Sequence, residues 1–384
     1  MTTGTTHWTG SDPESRWVTE ARDVAARIGE DAADHDRSGD FVHEGSAVLR
    51  RHGLTTMLVP EELGGGGATH AETCAVLATL AHGCPATALT LSMHSHLVAA
   101  QVWRYRHDLP APALSKVVDD GAVLVSTGAA DWLDSEGTAL PAEGGFRVSA
   151  RKSPSSGAPA GDVLVTSARW ESSPEGPQVI HFTVPFAAEG VSIDETWDTM
   201  GMRATGSHTV VLDDVFVPEA AVSLVRPVGE WHPVFNVIVG AALPLIMAVY
   251  VGVAEEAVER SIALAGRRAD TTTVAPLVGR MLNRLHVAQD AVGSTIAMSD
   301  DLRFAATMDH AAAVLGRKTV AAEAAIDAVR LAMEAVGGAS YSRSVGIERL
   351  YRDVHGSLHH PLPAARQELF TGRLALGLDP LGTA

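Results

Sequence analysis

Four of the seventeen histidines in this 384-residue chain come as close pairs, His94 with His96 and His359 with His360. Imidazole is the side chain whose ordinary pKa lies nearest neutral pH, so such pairs suit proton transfer in a cleft. They could equally be polar groups satisfied by their neighbours, or ligands of a metal. A metal would want three or four ligands in defined geometry, usually with a carboxylate or thiolate among them, and none is expected here. The pairs stand far apart in the chain, so only the fold decides whether they meet.

The familiar motifs of other chemistries are missing. No GxGxxG opens a helix after a strand, and no GxxxxGK[ST], HExxH or GxSxG occurs. Kinases, common hydrolases and nicotinamide dehydrogenases of the usual type thereby lose support. The chain carries 29 Lys+Arg against 46 Asp+Glu, a net charge of −17, with no long basic run. Nothing there would neutralise phosphates in bulk, which argues against a general nucleic-acid binder. Two cysteines, Cys74 and Cys84, cannot build a disulfide framework, and a cytoplasmic location is expected. The start, MTTGTTHWTGSDPESRW, lacks the basic and apolar regions of a signal peptide.

The elements that must position these residues fall into three stretches. Residues 12–118 read as a helical domain, with a start at Ser11-Asp12-Pro13-Glu14 and helices over Ala71–Leu80 and Ala86–Tyr105. Gly64 to Gly67 form a glycine run that must be a turn with close backbone approach. Residues 119–228 read as short β-branched strands: 122–125, 146–148, 162–170, 179–184 and 207–217. Gly/Pro/Ser punctuation between them predicts an antiparallel sandwich or barrel. Residues 229–384 return to helices and predict a four-helix bundle, making the whole an α+β fold. Its clearest helix is 312–336, with Ile326, Val329, Met333 and Val336 on one stripe and Asp327, Arg330 and Glu334 on the other. Val234 to Val253 is apolar enough to span a membrane, but it stands alone, holds Pro244 and lacks a Lys/Arg flank. A buried bundle helix or a subunit interface is the expectation.

Several phrases, in order over about residues 15 to 378, resemble the acyl-CoA dehydrogenase family of flavoproteins. They are Leu58-Val59-Pro60-Glu61-Glu62-Leu63-Gly64-Gly65, then Gly145 to Lys152 followed by Ser155-Ser156-Gly157. Next come Gly201-Met202-Arg203-Ala204-Thr205-Gly206-Ser207 with Asp213 to Pro218, and finally Val336-Gly337-Gly338 with Ile347 to Asp353. The resemblance implies a bound FAD, or FMN in the family's monooxygenases. Ser126, Thr127 and Gly128 would supply loop contacts to it, and Ser155 and Ser156 would lie beside the reactive ring. Pro154 stands where the family usually has an aromatic. Gly337 and Gly338 would approach the adenosine portion held by a neighbouring subunit, and a homotetramer is implied.

One departure bears on the reaction. The family's dehydrogenases remove an α-proton with a glutamate about nine residues beyond the Arg of Arg352-Asp353; that position is Pro361, preceded by His359-His360. The other usual place for the base, near Phe235, holds no acid either. The ending instead resembles the second type of C-terminal domain in the superfamily, whose monooxygenases work a C-terminal histidine together with one from the helical domain. Three functions stay open: an acyl-CoA dehydrogenase passing electrons to a flavoprotein acceptor, a two-component monooxygenase fed by a flavin reductase, and a scaffold without chemistry. The first is the leading expectation.

Overall fold

The protein is described by a computed structural model over residues 5–128, 132–267 and 272–382. The first four residues of the N-terminal reading therefore lie outside the described residues.

Seven helices come first: α1 (Thr5–Thr9), α2 (Arg16–Gly29), α3 (Ala32–Ser38), α4 (His43–Arg51), α5 (His70–Gly83), α6 (Pro85–Arg106) and α7 (Ala113–Asp119). The start expected at Asp12 falls later, because the Asp12 carboxylate accepts from the Glu14 N–H at 2.9 Å and holds a turn. At α5, Thr69 and Glu72 form a reciprocal capping box, Thr69 Oγ1 accepting from the Glu72 N–H and Glu72 Oε2 from the Thr69 N–H. Pro85 opens α6 where a missing N–H costs nothing.

The middle stretch is one eight-stranded sheet: β1 (Leu124–Ser126), β2 (Thr138–Ala142), β3 (Gly145–Lys152), β4 (Val163–Trp170), β5 (Gln178–Pro185), β6 (Val191–Asp194), β7 (Thr209–Pro218) and β8 (Val222–Pro227). Its order is β6-β7-β3-β2-β4-β5-β8. Most pairings are antiparallel, as expected, but β1 and β2 both run parallel to β4. The sheet is therefore mixed. A parallel neighbour needs a long crossover, and β1 meets β4 only after the β2–β3 hairpin has intervened. Such non-local pairing leaves no mark on local composition.

The C-terminal stretch holds three long helices, α8 (Val234–Ala265), α9 (Val274–Met298) and α10 (Met308–Val336), and two short ones, α11 (Ile347–Val354) and α12 (Ala364–Ala375). Helix α8 contacts α5, α6, α9, α10 and α11. Its most apolar window is 94% buried inside this one chain, so its composition reflects a central core position. On α10, Ile326 and Met333 are only half-buried. The innermost face is alanine: Ala321, Ala325, Ala328, Ala332 and Ala335, all fully buried at alternating four- and three-residue spacing. Small residues there let α10 lie close to its neighbours, whereas the bulky stripe flanks the contact.

Candidate active site

A cavity of about 540 Å³ opens where the three parts of the chain meet. Ile238, Ala242, Ile246 and Tyr250 of α8 line it at i, i+4 spacing, one helix face. Leu89, Met93 and His96 of α6 extend this apolar wall. Opposite lie Ser126, Thr127 and Gly128 at the end of β1, with Pro154 and Ser156 from the turn after β3 and Ser207 beside them. The loop Trp197 to Met202 and the segment from Arg352 to Pro361 close the remainder.

The fold thus brings together His96, Ser126, Thr127, Gly128, Ser156, His359 and His360 out of the residues expected from sequence. It does not bring His94. Two residues along a helix are about 200° apart, so His94 faces away from its neighbour. Its Nδ1 accepts from the Leu124 N–H at 3.0 Å and its Nε2 donates to the Thr55 carbonyl at 2.8 Å. That is a buried tie between α6, β1 and the loop after α4. Ser155 is also off the cavity, fully buried with its hydroxyl donating to the Lys152 carbonyl. Ser156 faces inward, its hydroxyl 2.7 Å from that of Ser207. Gly337, at φ 73°, caps α10 and Gly338 follows it, both outside the cavity.

His96 is buried, and its Nδ1 makes no hydrogen bond of normal geometry, although the Ser92 carbonyl one turn back raises its pKa slightly. Burial dominates and carries the ring down to about 4. His360 Nε2 lies 2.7 Å from the Tyr250 hydroxyl, within hydrogen-bond distance. Burial, followed by the charges of Lys318, His96 and His359, pushes this ring down to about 3. Both imidazoles are neutral at pH 7. Among the described residues that line it, none is Asp or Glu. The one Lys or Arg among the described lining residues, Arg352, grips Asp36 through two bonds of 2.8 and 2.6 Å and also binds Glu348 and the Met200 carbonyl.

Outside the cavity, His82, Glu256 and Glu259 bring ligand-type atoms close together. His82 and Glu256 are taken up by ion pairs, His82 Nε2 with Glu255 at 3.1 Å and Glu256 with Arg260.

A flat ring system with apolar faces and a polar edge matches this lining. The leucine, isoleucine and methionine side chains of α6 and α8 would cover a face, and the hydroxyls and backbone of 126–128 and 156 would meet an edge. An isoalloxazine ring has that shape, and the residues present fit a flavin.

Sequence reasoning missed Tyr250, Trp197 and Trp132 as lining groups. Tyr250 did carry a signal, being a lone phenol in an otherwise apolar stretch of α8. The two tryptophans sit in loops, where no periodicity assigns a side chain to one face.

The acyl-CoA dehydrogenase N-terminal domain matches residues 11–108, and the acyl-CoA dehydrogenase C-terminal domain matches residues 243–357. The putative acyl-CoA dehydrogenase YdbM of Bacillus subtilis is 29% identical over 371 residues, covering 91% of this chain and 94% of its own length. L-evernosamine nitrososynthase of a Micromonospora species is 28% identical over 387 residues, covering 93% and 89%. Among solved structures, KijD3 in complex with FMN and dTDP-3-amino-2,3,6-trideoxy-4-keto-3-methyl-D-glucose superposes with a TM-score of 0.88 at 28% identity, covering 99% of this chain and 97% of that one. Ordered phrases, a helical–sheet–helical fold and a cavity shaped for a flavin agree with these matches: the chain belongs to the acyl-CoA dehydrogenase family.

Proposed function

We propose that this protein is a flavin-dependent monooxygenase that takes reduced flavin from a separate reductase and oxygenates a small substrate with O2. When bound, the reduced flavin supplies the electrons that activate oxygen. The observation that carries the reading is the cavity lining, which among the described residues offers neutral imidazoles and no carboxylate. A dehydrogenase must take a weakly acidic α-proton, and a base of pKa about 3 or 4 is poorly matched to that task. Neutral imidazoles in an apolar cavity are instead suited to hydrogen-bonding oxygen while excluding water. With Arg352 already paired, no free fixed charge among the described residues faces the centre, which favours a substrate uncharged at its reacting atom. A neutral amine on a sugar meets that condition. The nitrososynthase relative supports the reading, since a nitroso group carries oxygen bound to nitrogen. The deciding experiment supplies reduced FMN or FADH2 with O2 and follows oxygenated product across amines and aromatic compounds. Product with 18O from labelled O2 is the expected result; simple flavin reoxidation with every substrate would overturn it.

The second reading, an acyl-CoA dehydrogenase, is favoured by the match to YdbM over most of both chains. It calls for oxidised flavin bleached anaerobically by an acyl-CoA. In either case we place the protein in the cytoplasm, on its two unpaired buried thiols, Cys74 and Cys84. We also propose a homotetramer in which Gly337 and Gly338 reach a neighbour's cofactor, which would make FADH2 bind more tightly than reduced FMN.

A further inference from the structure

The Tyr250 hydroxyl is buried in the middle of the molecule, with Tyr250 as a whole 1% exposed. Among the described residues its hydrogen-bond partner is His360 Nε2, at 2.7 Å. A buried phenol must place its proton on an acceptor, and Nε2 is the acceptor within reach. An imidazole nitrogen that accepts carries no hydrogen, so in the neutral ring the proton sits on Nδ1. His360 Nδ1 makes no hydrogen bond to protein among the described residues, and the His360 side chain lines the cavity. We propose that Tyr250 is a positioning residue that locks His360 as the Nδ1–H tautomer, so that this histidine meets the cavity as a hydrogen-bond donor and not as a base.

The surrounding chain is built for this contact. A Cβ on Gly356 would stand 2.7 Å from the Tyr250 hydroxyl, so the bare glycine is what leaves room for it. The groups facing the pair are Lys318 from α10, His96 from α6, Asp353 from α11 and the adjoining His359. Lys318 donates to the Leu362 carbonyl at 3.3 Å, fixing the backbone just beyond His360. Burial and Asp353 push the phenol well above its ordinary pKa, and burial, followed by the nearby Lys318 ammonium, pushes the imidazole down. Both groups therefore hold one proton each over the working pH range.

The assignment deepens the monooxygenase reading, in which a fixed donor steadies negative charge developing on oxygen. Its test does not depend on turnover. Protein with 15N in the histidine rings, with His360 assigned through His360→Gln, reports the tautomer by NMR. The expected wild-type result is a protonated Nδ1 and a bare Nε2 from pH 5 to 8. In Tyr250→Phe the ring should relax to a mixture rich in the Nε2–H form. A wild-type Nε2–H tautomer, or a Tyr250→Phe spectrum identical to wild type, would overturn the proposal. The wild-type measurement stands alone if that variant does not fold. If the spectra hold but no oxygenated product forms, the functional reading fails and the tautomer assignment survives. If both hold, Tyr250→Phe should lower product per reduced flavin about tenfold, as loss of a histidine's outer partner does elsewhere.

Discussion

At the scale of single residues, the two histidines of Met93-His94-Ser95-His96 differ in nothing local, yet they do opposite things. His94 spends both ring nitrogens on backbone groups and holds three elements together. His96 instead lines the cavity and, among the described residues, ties no distant element to α6. His94→Ala should therefore cost about 2–4 kcal/mol of stability, from a cavity plus an abandoned buried N–H and carbonyl, while flavin still binds. His96→Gln should leave the urea midpoint nearly unchanged and lower product formation about 100-fold. Equilibrium unfolding and single-turnover assays on the two variants check this pair. The reverse pattern would reassign the working histidine.

At the scale of elements, the cavity depends on how closely helices approach one another. Helix α8 crosses α5 at Gly252, where a Cβ would lie 2.3 Å from the Ala78 carbonyl oxygen. Neither backbone can yield cheaply there. Gly252→Ala should destabilise by about 1–3 kcal/mol despite alanine's better helix propensity. On α9, Gly279 has open space around it, so Gly279→Ala should stabilise by up to about 1 kcal/mol. Urea unfolding with an unchanged m-value separates the two. The apolar composition of α8 was legible in sequence, and so was its burial. Which of its residues would face the cavity was not, because α8 is apolar on every side and periodicity had nothing to mark.

At the scale of the whole molecule, buried neutral histidines make folding depend on pH. Burial holds His70, His94 and His96 down to about 4; burial and then Arg226 hold His181 down to about 3. In the unfolded chain each returns to its ordinary value of 6.5. Below pH 6.5 the unfolded state therefore takes up protons that the folded state refuses until near pH 4. Stability is full above 6.5 and falls as pH drops through that window. Each fully buried ring contributes up to about 3 kcal/mol to the loss. Scanning calorimetry should show a melting temperature flat from pH 8 to 6.5 and steeply falling toward pH 5. A flat profile down to pH 4.5 would contradict it. The Asp36–Arg352 pair ties α3 to α11 across the same junction and keeps Arg352 from serving an anionic ligand.

The sequence by itself determined the helical–sheet–helical order, the family and the two chain regions from which imidazoles would come. Those follow from period, punctuation and ordered phrases, all of which are local. Only the tertiary structure decided that β1 and β2 run parallel to β4, that His96 and not His94 reaches the cavity, and that Tyr250 meets His360. Each of those depends on which side of an element faces which distant neighbour. A rotation of about 200° between His94 and His96, or one glycine at 356, settles such a contact without altering any local pattern.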